Sequence, residues 1–491
     1  MKKLLVILLA LVISISGFAQ SKNLKNAEKN LKKNKLDAAL NDIHLALQEE
    51  ANLALPNLYL AEAKAYTAVI YNLNDDSDKR KPEYDALMKD EYMSKAIECF
   101  KKTFSMDANG LMKALNRTEI DKLALGCYNY GVNKYSANDF AAASNAFMQS
   151  YYSRLLNEET DTNALYNAAM CADRAGDKEN AKKLYQQVID MNTKNFPSAY
   201  ISMANIYVPI YQEANQKVDS AKLELNKAKM TLEDAQYTLK QAQADEKETA
   251  ASLKTIKNAA TKQQYQDYIK IFQDKQVKAQ QDIDETNAKI PALEADKTKN
   301  EAIALNNQKE AGKYANLAVE HFPDDYNTLI NAASIHLMIG NSDKAEKILN
   351  DMTVKYSDNK VVFFALGISY YMMDNPTKAE EAYFHAMSLD PDYYDAYYNL
   401  GVLYVTEGQK LAIEANNLPL NATAEYETKT AQANDYFKKS IPLLEKSLAA
   451  QPNNTSVMSA LRDIYNQLGK SDVEYLKKAA DMRGRIEALG Q

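Results

Sequence analysis

The sequence predicts an all-α fold: about eight antiparallel helix pairs stacked side by side, with a long antiparallel coiled-coil hairpin inserted into the fifth. Three observations predict it. One pattern comes round every 34 residues: Leu329, Phe363 and Tyr397; Ala332, Leu366 and Leu400; Ala333, Gly367 and Gly401; His336, Tyr370 and Tyr404. Ala345 and Ala379, Leu349 and Tyr383, and Met352 and Ala386 keep the same step. A second pattern has period seven: Val218, Leu225, Leu232 and Leu239, with Ala221, Ala228, Ala235 and Ala242 three places on. Finally, only 13 Gly and 11 Pro interrupt 491 residues, while 33 Tyr and no Trp suit long helices with aromatic wedges.

Two short helices cannot bury their apolar faces alone, so each pair needs neighbours. Small residues at Gly367 and Ala379 let the helices of a pair approach, and Tyr370 and Tyr383 fill the space beside them. The stretch VVFFALGISYYMMDNPTKAEEAYFHAMSLDP, ending at Pro391, combines this spacing with Leu-Gly, a Tyr, a later Ala and a closing Pro. It resembles the tetratricopeptide repeat (TPR). The resemblance implies a right-handed α-solenoid and a protein that binds other proteins.

Taken in order, residues 1–19 read as an address. Lys2 and Lys3 precede an apolar run from Leu4 to Ile15, then Ser16-Gly17-Phe18-Ala19. This predicts a secretory signal cleaved after Ala19 and a periplasmic or secreted mature chain that is not membrane-embedded. Repeat one follows, with Ala39, Ile43 and Ala46 as its second stripe and an outer helix rich in exposed Lys, suited to a cap. Repeat two carries Tyr59, Ala63 and Tyr66, then Ala96, Phe100 and Thr103. Repeat three uses Cys127, Gly131, Ala143 and Phe147; repeat four uses Leu165, Ala169, Ala181 and Tyr185, with Gly176-Asp177 as helix stop and N-cap. Repeat five opens at Pro197 and closes on Ala311, Ala315 and Ala318. Repeats six and seven fill 326–359 and 360–393, repeat eight starts at Asp395, and two closing helices are predicted near 455–468 and 471–488.

Three repeats are stretched. The small residues are 12 apart in Gly367 and Ala379, but 33 apart in Ala63 and Ala96, 107 in Ala204 and Ala311, and 39 in Gly401 and Ser440. About 21, 95 and 27 residues are therefore inserted, each time at the turn between the two helices of a repeat. Those turns are expected to share one edge. The longest insertion returns through Tyr265, Ile269, Phe272, Ala279, Ile283, Ile290 and Leu293, with the reversal expected between about 250 and 262 and a bend or break at Pro291. Arms of about 45 residues would reach roughly 70 Å. The expected organisation is a signal peptide at 1–19, N-terminal repeats at 20–211, the coiled-coil hairpin at 212–308, C-terminal repeats at 309–453 and capping helices at 454–491.

No catalytic centre, cofactor or metal site is expected, so the chain does not read as an enzyme. His44, His321, His336 and His385 lie far apart, and His336 occupies the position of Tyr370 and Tyr404, which marks it as a packing residue. No phosphate-cradling loop or nucleophile elbow is present. Cys99, Cys127 and Cys171 read as small buried residues, with a Cys127–Cys171 disulfide as the alternative. A net charge of −7 provides no basic field for nucleic acid.

The resemblance implies that the inner face is lined by fixed positions of each first helix. Carried over, these are Ile201 and Asn205 in repeat five, Ile330 and Ser334 in repeat six, Phe364, Ile368 and Tyr371 in repeat seven, and Tyr398, Val402 and Val405 in repeat eight. The charged clamp that some relatives use for a terminal carboxylate is missing. An apolar, Tyr-rich groove remains, suited to an amphipathic helix or an extended apolar peptide. The expected function is an exported scaffold or adaptor for a protein or peptide ligand. The alternative is a structural envelope protein that self-associates, as a homodimer, through the coiled-coil arm.

Overall fold

A computed structural model describes residues 21–73, 81–191, 196–419, 421–469 and 472–490. The expected signal segment 1–19 and residues 74–80 lie outside the described residues. Among those described there is no strand. The chain divides between Ile206 and Tyr207 into two compact units.

In the first unit, repeat one is α1 (Lys22–Lys32) and α2 (Leu36–Leu47), and repeat two is α3 (Pro56–Leu73) and α4 (Glu91–Ser105). A short α5 (Leu111–Leu115), which the periodicity does not reveal, leads into α6 (Arg117–Ser136) and α7 (Phe140–Leu156) of repeat three. Repeat four is α8 (Thr162–Arg174) and α9 (Lys178–Asp190). The stripes expected from the sequence are buried: Ala39, Ile43 and Ala46, then Tyr59, Ala63, Tyr66, Ala96 and Phe100, then Cys127, Ala143 and Phe147, then Leu165, Ala169, Ala181 and Tyr185. All three cysteines are free thiols, buried as packing residues, and no disulfide joins Cys127 to Cys171.

Helix α10 (Pro197–Leu253) and α11 (Ala259–His321) are the two long helices, and the chain reverses between them at 254–258, inside the expected window. Partners across the hairpin pair in opposite order. Lys289 lies 3.8 Å from Glu224, Gln276 donates to the Ala242 carbonyl at 3.3 Å, and Gln273 and Gln276 both donate to Glu246. Nearer the base, Tyr207 stacks on Tyr314 with ring centres 6.1 Å apart. Val218, Leu225, Ala228, Ala235 and Ala242 on one helix, and Ala279, Ile283 and Ala304 on the other, are buried. Of the bend or break expected at Pro291, the break does not occur: α11 runs on through it. Pro291 is exposed, and so is Asn287 four residues before it, so the carbonyl that loses its N–H faces water. Pro442 and Lys438 repeat this arrangement inside α17 (Thr423–Ala450).

The second unit continues with α12 (Tyr326–Met338) and α13 (Ser342–Lys355), α14 (Lys360–Met372) and α15 (Pro376–Leu389), and α16 (Tyr394–Asn416) with α17. The closing helices are α18 (Thr455–Leu468) and α19 (Val473–Leu489). The small residues mark close approaches. A methyl built on Gly367 would stand 2.5 Å from the Tyr383 ring, and one on Gly401 would stand 2.7 Å from Leu444. In the first unit a methyl on Gly131 would stand 3.0 Å from Phe147.

One turn chemistry recurs between the helices of the uninterrupted repeats. Asn34, Asn138, Gly176, Gly340 and Asp374 all have positive φ, from 50° to 85°. Each time the next N–H reaches back to the fifth carbonyl before it: Lys35 to Asn30, Asp139 to Lys134, Asp177 to Ala172, Asn341 to His336, and Asn375 to Tyr370. This left-handed stop satisfies the orphan carbonyls at the end of the first helix. Asp139, Asp177 and Asn375 then cap the second helix by accepting from Ala142, Asn180 and Lys378. In the stretched repeats the first helix instead runs on, as α3, α10 and α16. In the second unit these extensions share an edge. Tyr211 and Leu223 of α10 line a depression with Met338, Gly340 and Met372, and Lys410 of α16 bonds Asp374 at 2.5 Å.

Candidate partner-binding surface

Helix α14 sorts its residues by face. Val362, Ala365, Leu366 and Tyr370 are buried, while Phe364, Ile368 and Tyr371 are half-buried on the other side. Ile330 and Ser334 of α12, and Tyr398, Val402 and Val405 of α16, are also half-buried. Helix α14 contacts both α12 and α16. The spacing of three and four residues puts each set on one helical face. Ile201 and Asn205 belong to the first unit, where Ile201 is half-buried and Asn205 exposed.

The row is held from beneath. The Phe364 ring meets Tyr393 edge-on at 5.2 Å and tilts against Tyr383 at 6.1 Å. Tyr393 is fixed by the Lys360 ammonium, 4.7 Å over its ring, and Lys360 pairs with Asp390. Burial pushes the Tyr393 hydroxyl up to about 12. The Tyr371 hydroxyl meets Thr406 of the next repeat at 3.2 Å. Ser334 turns its hydroxyl back to the Ile330 carbonyl at 2.8 Å. None of the eight second-unit side chains is charged, and Lys410 at the edge is engaged by Asp374 and Glu407.

Towards its end the row is partly covered. Tyr398 and Val405 pack against the cluster containing Met458 and Leu461 of α18. Val405 also opens into a depression of 470 Å³ between α16, α17 and α18, floored by Ala412, Ala433, Phe437 and Ile464. Gln409, Asn416, Asn434 and Gln467 stand round it. Periodicity missed this depression because it is built from inserted residues and the non-repeating helix α18, although Ile413 and Tyr426 were visible there as apolar side chains in a polar segment. A larger depression of 740 Å³ lies between α11, α12 and α13, with Val319, Leu329 and Ile348 beside Lys344 and Lys347, and includes none of the ten residues.

His336 is fully buried. Its Nε2 meets Asn316 Oδ1 at 3.0 Å, Nδ1 has no hydrogen-bond partner, and burial lowers its pKa to about 4. It packs as the neutral ring, in the place of Tyr370 and Tyr404. Among the described residues, no group of three His, Cys, Asp or Glu could hold a metal ion, and no helix is long and apolar enough to cross a membrane.

The tetratricopeptide-repeat family profile matches residues 163–192, which are α8 and α9 of repeat four. Two photosystem I assembly proteins, both named Ycf3, are similar to part of the chain. That of Cyanophora paradoxa is 29% identical over 127 residues, 25% of this chain and 69% of the relative. That of Rippkaea orientalis is 31% identical over 109 residues, 22% of this chain and 60% of the relative. The crystal structure of the C-terminal part of a TPR repeat-containing protein from Cytophaga hutchinsonii is 13% identical, covers 74% of this chain and 95% of that one, and has a TM-score of 0.37. Residues 163–192 thus carry a tetratricopeptide repeat, and the same pairing of helices is renewed every 34 residues from 326 to 393.

Proposed function

We propose that the chain is an exported scaffold that holds a protein or peptide partner against the apolar row of α12, α14 and α16. One observation carries this reading: Phe364, Ile368, Tyr371 and Val402 are uncharged, apolar or aromatic, and only half-buried on adjacent first helices. A continuous face of this kind suits an amphipathic helix or an extended apolar segment. Export rests on the leader-like composition of residues 1–19. A second reading is a structural envelope protein that self-associates through the α10–α11 arm. The exposed Leu223, Met230 and Tyr237 of α10 favour it.

The test is recovery of partners by the immobilised mature chain from the envelope fraction of its own cell. Phe364→Asp combined with Tyr398→Asp, and separately the milder Val402→Lys, should lose the partner while keeping wild-type helicity. Folded variants that retain the partner overturn the groove.

A further inference from the structure

In the hairpin, the residues furthest from the partner helix are normally charged or polar, because nothing covers them. On the returning helix α11 these outermost places hold Asp274, Gln281, Ala288 and Ala295, none of them a large apolar side chain. On α10 they hold Leu223, Met230 and Tyr237, seven residues apart and 56%, 70% and 64% exposed. Exposed Tyr268, Ile271 and Val277 of α11 lie off its outermost line, so large apolar side chains at the outermost heptad places run along α10, with Leu223 also bordering the depression it shares with Met338 and Met372. A solvated stripe of this kind costs free energy unless something covers it.

We propose that the stripe is covered by the same stripe of a second copy, with the two α10 helices antiparallel about a two-fold axis at Met230. The proposal deepens the self-association reading and is independent of the groove. Charge selects the occupant and its direction. With Met230 against the partner's Met230, Leu223 lies beside the partner's Tyr237. Lys227, three residues before the axis, then faces the partner's Glu233 and Asp234, three and four residues after it. Lys240 likewise falls beside the partner's Asp219 and Ser220. A parallel pairing would set Lys227 on Lys227 and Asp234 on Asp234, which is repulsive. Lys227 and Asp219 already have exposed partners of their own, Glu224 at 2.9 Å and Lys222 at 3.7 Å, and such surface pairs are weak enough to exchange. From Gln216 to Ala244 the face is about 42 Å long and about 10 Å wide. It buries roughly 800 Å² in total, below the size of a standard stable interface, so the dimer is a weak one.

The test uses the full mature chain, whose three native thiols are buried. Met230→Cys should form a covalent dimer under mild oxidation. Leu223→Cys alone and Tyr237→Cys alone should not, but a mixture of the two should. Sedimentation should show a concentration-dependent monomer–dimer equilibrium. Lys227→Glu should weaken it at least tenfold, and adding Glu233→Lys and Asp234→Lys should restore it. Equal self-cross-linking of all three single-cysteine variants overturns the antiparallel pairing. A dimer that survives Met230→Glu but is lost on deleting 215–305 overturns this face and keeps arm-mediated self-association. A monomer at every concentration, with no cross-link, overturns both.

Discussion

Replacing Gly367 by Ala tests the helix-to-helix approach on which the stack depends. On helix propensity alone, Gly→Ala inside an exposed helix stabilises by about 1 kcal/mol. Here the added methyl would stand 2.5 Å from Cε1 and 2.6 Å from Cδ1 of Tyr383. Ordinary contact begins near 3.4 Å, so ring and methyl must separate by about 0.9 Å. Tyr383 is almost fully buried, so its ring has no free direction in which to move. Overpacking of this severity costs about 3 kcal/mol, which leaves a net loss of about 2 kcal/mol after the helix gain. Gly484 in α19 is the internal control, because a methyl there meets nothing within 4 Å. Gly484→Ala should therefore stabilise, by about 0.5–1 kcal/mol. Urea unfolding followed by circular dichroism measures both. The smaller ring space of Tyr383→Leu should relieve Gly367→Ala, giving less than additive losses in the double variant. If Gly367→Ala is as stable as wild type, the close approach at repeat seven is wrong.

Other expectations follow from single sites. The His336 ring is neutral in the fold, with its pKa lowered from 6.5 to about 4, so the unfolded chain binds the extra proton between those values. Its stabilising contribution is complete above pH 6.5 and falls as the pH drops towards 4, by about 3 kcal/mol at most. Comparison of acid titrations of wild type and His336→Gln isolates it, and parallel curves would refute it. Burial raises all three thiols, Cys171 to about 11, and Cys99 and Cys127 further. Ellman's reagent should therefore label none in the folded chain at pH 8 and all three in urea. Fast labelling without urea would contradict the packing. Gly176 has φ +85° with open space around it, so Gly176→Ala should cost about 1 kcal/mol through the backbone alone. Gly176→Asn should cost less, because Asn34 and Asn138 hold the same turn elsewhere; equal melting-temperature losses would count against the shared turn.

Much of the fold was legible because sterics repeat. A small residue must lie under each wedge, so Gly131, Gly367 and Gly401 advertise the close approaches between helices. The insertions were legible for the same reason, since the interval between small residues grows when a turn is replaced. The left-handed turns hid behind three residue types, Asn, Gly and Asp, and no single letter announces them. Helix α5 escaped because five residues carry no period. Pro291 misled because proline excludes a backbone bond, and whether that matters depends on which side of the helix meets water. The candidate row was legible as a face, but its cover was not. Periodicity says where Tyr398 and Val405 point relative to their own helix, and the approach of α18 comes from a non-repeating segment.

The most direct measurement of the central claim is site-specific photocross-linking from single positions on first and second helices of the second unit. A benzophenone side chain placed at Tyr371 or Val402 should capture one discrete partner from the envelope fraction. The same group at Val354, 83% exposed on the second helix of repeat six, should not. Capture from Val354 alone, or no discrete partner from either groove position with the fold intact, would contradict the account.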